Sequence, residues 1–204
     1  MHDLLVTLAY PAAGLVTVTI VLIMLSRSWR WSLAALALQY LGVFLLSALI
    51  WPLEMAAVKL VAGWMAGAIL AIAGTEANLA DPKDSEDLTW GWLSSRVFRF
   101  IAAGLGALVV LSIVPQAILW IPGLSFAQAW GSLILIGVGL IYLGLTAQPF
   151  RVALGLLTIF SGFEIIYAAV ETSALVAGLL ALVNLGLALA SAYVLTAPLM
   201  EQDQ

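Results

Sequence analysis

Seven runs of about twenty apolar residues, separated by short polar breaks, leave this chain one way to hide its surface. A helix crossing the hydrocarbon of a bilayer needs about 20 such residues. The runs fall at Leu4 to Leu25, Leu33 to Trp51, Met55 to Ile72, Phe100 to Trp120, Ala127 to Ala147, Val152 to Ala169 and Ser173 to Leu195. The expected fold is therefore all-α, a polytopic bundle of seven transmembrane helices. Charge supports this, because 9% of the residues are charged where a soluble domain carries about a quarter. A soluble enzyme is excluded, and so is a nucleic-acid binder, since no basic run could follow a phosphate backbone. The chain has no cysteine and a single histidine, His2. No cofactor or metal site of its own is expected, and no catalytic centre.

Seven spans put the termini on opposite sides, and the basic residues say which is which. Arg27 and Arg30 follow the first span, Lys83, Arg96 and Arg99 lie after the third, and Arg151 follows the fifth. The positive-inside rule then places the N-terminus outside and the C-terminus in the cytoplasm, with Glu201 and Asp203 in a cytoplasmic tail. Lys59 alone falls outside this pattern. Indole prefers the headgroup boundary, so Trp29, Trp31, Trp90 and Trp92 are expected at the inner boundary and Trp51, Trp120 and Trp130 at the outer one. Only Trp64 lies mid-span. Met1-His2-Asp3 lacks the positive start of a signal peptide, and the first span is expected to be retained. A plasma membrane, bacterial or archaeal, is the expected location.

The chain divides into a three-span bundle over 1–74, a loop over 75–99, a connecting span over 100–126 and a second three-span bundle with an acidic tail over 127–204. The loop holds five of the eleven acids, Glu76, Asp81, Asp84, Glu86 and Asp87. Asp81-Pro82 has the form of an N-cap followed by proline at the first helical position, so an interfacial helix could run through Trp90 and Trp92. Residues Glu76 to Asp87 are either a docking surface for a cytoplasmic partner or a solvated connector. Spans one to three and five to seven run in the same direction and could be copies. Setting Arg30 on Arg151 places Leu33 on Leu154 and Leu36 on Leu157, but Val43 on Glu164.

An ionisable side chain in hydrocarbon costs several kcal/mol unless it is paired, which makes such residues the first functional candidates. Lys59 lies about 12 Å along its helix from Trp51, and Glu164 about 20 Å from Arg151. The two are at similar depth. Lys59 either pairs with Glu164 or snorkels its ammonium to the headgroups. Glu54 is turned about 140° away from Lys59 on the same helix and belongs near the headgroups. Glu171 is expected to be solvated in a short turn. Gln39, Asn184, Thr158 and Tyr40 could line a polar track with Glu164 and Lys59, or serve as ordinary interhelical hydrogen bonds. Gly63 and Gly67 form a small-xxx-small pair suited to helix packing. Gly104-Leu105-Gly106 and Gly137-Val138-Gly139 lie within apolar spans and are packing glycines, not phosphate loops.

Arg151, an apolar half-span and then Gly162-Phe163-Glu164-Ile165-Ile166 resemble the K-type small membrane subunit of respiratory complex I. The resemblance continues through Asn184-Leu185-Gly186-Leu187-Ala188-Leu189 and covers residues 128–197. The whole chain is similar to the longer relative of that subunit, component E of hydrogenase-4, which keeps a lysine after a Leu-Ile-Trp motif; here Leu49-Ile50-Trp51 precedes Lys59. The resemblance implies a non-redox membrane subunit that relays protons between a redox module and antiporter-like subunits. Glu164 would be the relay carboxylate, and Lys59, Asn184 and Gln39 its companions. Asn184 stands where the family would suggest an acid, and the acidic loop is longer than the family's. A free-standing secondary transporter or channel, or a purely structural membrane subunit, remain the alternatives.

Overall fold

The structure is a computed structural model that describes residues 2–26, 28–79 and 96–202. It contains seven α-helices among the described residues: α1 (His2–Leu25), α2 (Trp29–Ser47), α3 (Leu53–Glu76), α4 (Arg96–Trp120), α5 (Phe126–Gly144), α6 (Pro149–Val170) and α7 (Ala174–Gln202). Each is long and apolar enough to cross a bilayer, and in hydrocarbon a helix is the form that satisfies every backbone N–H and C=O within one segment. The chain is a multi-pass membrane protein in its architecture. The interfacial helix expected at Asp81-Pro82, with Lys83, Asp84, Glu86, Asp87, Trp90 and Trp92, lies outside the described residues, as do Arg27 and Asp203.

Local chemistry sets the helix ends. The Ser28 side chain accepts from the Trp31 N–H and starts α2. Ser125 and Gln128 form a reciprocal capping box at the start of α5, and α6 begins with Pro149 in its first turn. Between α4 and α5 the chain turns at Gly123, whose φ of 87° suits a residue without a Cβ. The second span was expected to reach Trp51, but α2 stops at Ser47. Residues 48–52 form a turn, and it folds Trp51 into the protein instead of leaving it at a boundary.

The helices pack in two rows. In one, α1, α2 and α3 are neighbours in order; in the other, α5, α6 and α7 are. Across the rows α1 packs on α5, α2 on α6 and α3 on α7, while α4 lies outside and leans on α1 and α5. The start of α6 trails that of α2 by 120 residues, and α7 trails α3 by 121, the spacing that sets Arg151 against Arg30. Val43, the counterpart of Glu164 in that register, is buried and apolar, so among the described residues the buried ion pair has no copy in the first row. Arg30, Arg96, Arg99 and Arg151 stand at one end of the bundle, the basic end. Trp51 and Glu171 stand at the other.

Glycines allow the closest approaches. A Cβ on Gly63 would clash with the nearest ring atoms of Tyr40, whereas Gly67, the other half of the small-xxx-small pair, faces open space. The pair therefore does not act as a unit: one member seats an aromatic ring from α2 and the other touches nothing. Gly63→Ala should destabilise the bundle by about 1–3 kcal/mol through overpacking, and Gly67→Ala should not. Unfolding of both variants in mild detergent checks this, and equal stability would contradict the packing described.

Candidate functional site

Four helices meet at the polar residues. From α3, Lys59 points inward and its Nζ donates to Glu164 Oε1 on α6, forming an ion pair in which each residue is about 1% exposed. The similar depths expected for these residues correspond to direct contact. Lys59 does not snorkel, and Glu54, one and a half turns earlier, is exposed. Over the ammonium lies the indole of Trp51, with its centroid 5.8 Å from Nζ. The Trp51 Nε1–H donates to the backbone carbonyl of Glu171 at 2.8 Å, which fixes the ring plane over the site. Glu171 is not simply solvated: its carboxylate accepts from the backbone N–H groups of Thr172 and Ser173 and shapes the turn into α7.

The remaining candidates lie next to this pair, and the structure brings them together. Tyr40 donates its hydroxyl to Asn184 Oδ1 across α2 and α7 at 2.9 Å, and it neighbours Ser161 and Glu164. Gln39 Nε2 donates to Thr158 Oγ1 at 3.3 Å. On α6, Thr158, Ser161 and Glu164 follow at steps of three, so each sits one short turn from the next. All of these side chains are buried. Ser161 was not singled out in the sequence, although its place three residues before Glu164 marks it; its hydroxyl donates back to the Leu157 carbonyl.

Around the ion pair three side-chain atoms are left over. Glu164 Oε2, Gln39 Oε1 and Asn184 Nδ2 are buried and make no hydrogen bond among the described residues. Turning either amide over would exchange the stranded atom without removing it, since each amide carries both a donor end and an acceptor end. A network meant only to hold helices together would be expected to close its bonds, because each stranded polar atom costs about 1–3 kcal/mol. Such a network exists elsewhere in the protein. Gln128, which the sequence did not point to, donates to the Leu46 carbonyl and accepts from Ser125. No group of three or more His, Cys, Asp or Glu side chains able to hold a metal occurs among the described residues.

The arrangement can hold a charge pair in a low dielectric and offer one free carboxylate oxygen to a proton donor. Removing one partner strands the other, at a cost of about 3–5 kcal/mol. Lys59→Met alone should therefore lower stability by that order, and adding Glu164→Leu should recover much of it; additive losses in a double-mutant cycle of unfolding would show that the pair is not coupled. Comparison with known protein families, with characterised proteins and with solved structures gives no match to this chain.

Proposed function

We propose that the chain is a non-redox membrane subunit of a complex I-like or membrane-bound hydrogenase-type oxidoreductase, in which Glu164 relays protons between the redox module and antiporter-like subunits. The observation that carries this reading is the buried Lys59–Glu164 pair with an unbonded carboxylate oxygen. Two sequence segments support it jointly. The Leu-Ile-Trp motif that resembles component E of hydrogenase-4 supplies Trp51 and precedes Lys59, and the Gly162-to-Ile166 segment that resembles the complex I subunit supplies Glu164. These segments lie more than a hundred residues apart in sequence, yet Trp51, Lys59 and Glu164 stack in one column.

In this mechanism Glu164 exchanges a proton or changes partner when a neighbouring subunit shifts, and Lys59 provides the countercharge that lets a carboxylate exist at this depth. Gln39 and Asn184 stand beside it as relay companions. The electron-transfer chemistry belongs to other subunits. The basic residues gathered at one end support a cytoplasmic location for that end, an external N-terminus and a bacterial or archaeal plasma membrane. Residues Glu76 to Asp87 would then face the cytoplasm as an acidic docking segment.

Glu164→Gln keeps the shape of the side chain and removes its proton-carrying charge. In the assembled complex, proton translocation should fall to a small fraction of the parent level while electron transfer and copurification of partner subunits persist. Normal translocation by an assembled variant would reject the relay. A structural role for the pair predicts that Lys59→Met with Glu164→Leu leaves translocation untouched, whereas the relay predicts loss.

A further inference from the structure

Polar groups are distributed unevenly about Glu164. Toward Trp51 the column is apolar: the carbon stem of Lys59, the Trp51 ring, Ala168 and Ala177, with Ile50 and Met55 packed against them. Among the described residues this route offers the buried hydroxyl of Ser47, one turn before Trp51 on α2, and none of the stranded amides, although it is the shorter one, with Glu171 seven residues beyond Glu164. Toward the basic end the lining is different. One short turn from Glu164 come Ser161, Tyr40 and Asn184, and a second turn brings Thr158 and Gln39, about 9 Å of helical rise from the carboxylate.

Beyond Thr158 a single turn of buried apolar side chains, Leu36 and Leu154, separates this lining from the next polar groups, and a file reaching the basic end passes that one turn. On its far side lie Ser32, whose hydroxyl donates to the Ser28 carbonyl, and Tyr142, which neighbours Arg99 and Arg151. Gly155 lets α5 come up against α6 here, since a Cβ would stand 2.6 Å from the Leu143 side chain and 3.3 Å from the Tyr142 ring. The polar lining thus extends along the longer route, and each of the three stranded atoms lies either on Glu164 itself or on that side of it. A countercharge for Lys59 requires none of these amides. Buried polar atoms without protein partners are what bound water satisfies, and a water needs two to four such groups.

We propose that Ser161, Tyr40, Asn184, Gln39 and Thr158 hold a file of water that joins Glu164 Oε2 to the basic end of the bundle, so that protons reach this carboxylate from that end while Trp51 shuts the other. The proposal deepens the relay reading of Glu164, but the hydration it requires is measurable without it. Tyr40 and Asn184 are positioning residues: their mutual bond turns the second end of the Asn184 amide toward the file. Trp51 is the stopper, held by its bond to the Glu171 carbonyl.

The chain has no cysteine, so single thiols can be read without background. Thr158→Cys and Ser161→Cys place a thiol in the proposed file, and Ala168→Cys places one behind Trp51. Silver ion is about the size of water, does not cross a bilayer unaided and captures thiols where water reaches them. Membrane vesicles bearing the full chain in either orientation, told apart by protease access to a tag after Gln204, would receive silver on one face, and unreacted thiol would be counted after denaturation. Silver on the basic-end face should capture both file thiols about tenfold faster, or more, than silver on the Trp51 face. The Ala168→Cys thiol should stay unreacted from both faces until Trp51→Ala is added, which should open it from the Trp51 face. Equal rates from the two faces, faster capture from the Trp51 face, or no capture of either file thiol would overturn the proposal. Normal translocation by Glu164→Gln would remove the relay and leave this labelling pattern unchanged, so the two failures are distinguishable.

Discussion

Taking an ammonium and a carboxylate out of water costs several kcal/mol for each ion, and only close pairing inside the protein offsets it. Lys59 and Glu164 are both buried among helices, so the fold must deliver them to one point from helices more than a hundred residues apart. Much of the local geometry follows from that requirement. Helix α3 must lie where its Lys59 face meets α6. Tyr40 then occupies the space between, and it fits because Gly63 offers no side chain against its ring. The turn after α2 must bring Trp51 over the pair, and its indole N–H finds the one backbone carbonyl, that of Glu171, which holds it there.

Much of this was legible in the sequence because the membrane imposes a length. Seven apolar runs became seven helices, and residue counts from Trp51 and Arg151 placed Lys59 and Glu164 at one level. Azimuth was not legible. In a soluble helix the apolar stripe says which face turns inward, but α2 and α3 are apolar on nearly every side, so nothing in their pattern said that Tyr40 would lie on Gly63 or that Gly67 would face open space. Trp51 was read as a boundary residue for a related reason. An indole before a proline at the end of an apolar run has the same sequence signature whether it lies in headgroups or folds inward, and the difference lies in the Glu171 carbonyl, far away in the chain.

The bundle is also divided in its chemistry. Helices α1, α4 and α5 pack mainly through Ala, Val, Ile and Leu side chains, and Thr17 and Gln128 among them find protein partners. Thr17 donates to the Ala13 carbonyl and accepts from the Trp130 indole, and Gln128 is bonded at both ends of its amide. The other four helices, α2, α3, α6 and α7, surround the ion pair and its amides. The row arrangement makes this possible: α3 packs directly on α7 and α2 on α6, so four inward faces converge at one level with no fifth helix between them.

That contrast divides the buried polar groups of the chain into two kinds. A polar network that serves only to fix helices gains most when every donor and acceptor is paired, and the Gln128 network meets that condition. The Glu164 network does not: a carboxylate oxygen and two amide ends are left over in a protein that elsewhere pairs its buried amides. In a low dielectric an incomplete network is costlier than an apolar core of the same shape, so stability alone would favour replacing Gln39 and Asn184 with leucine. Their presence within two turns of an ionisable pair is explained if the stranded atoms have partners that come and go, and in a bilayer interior the smallest such partners are water and the proton it carries.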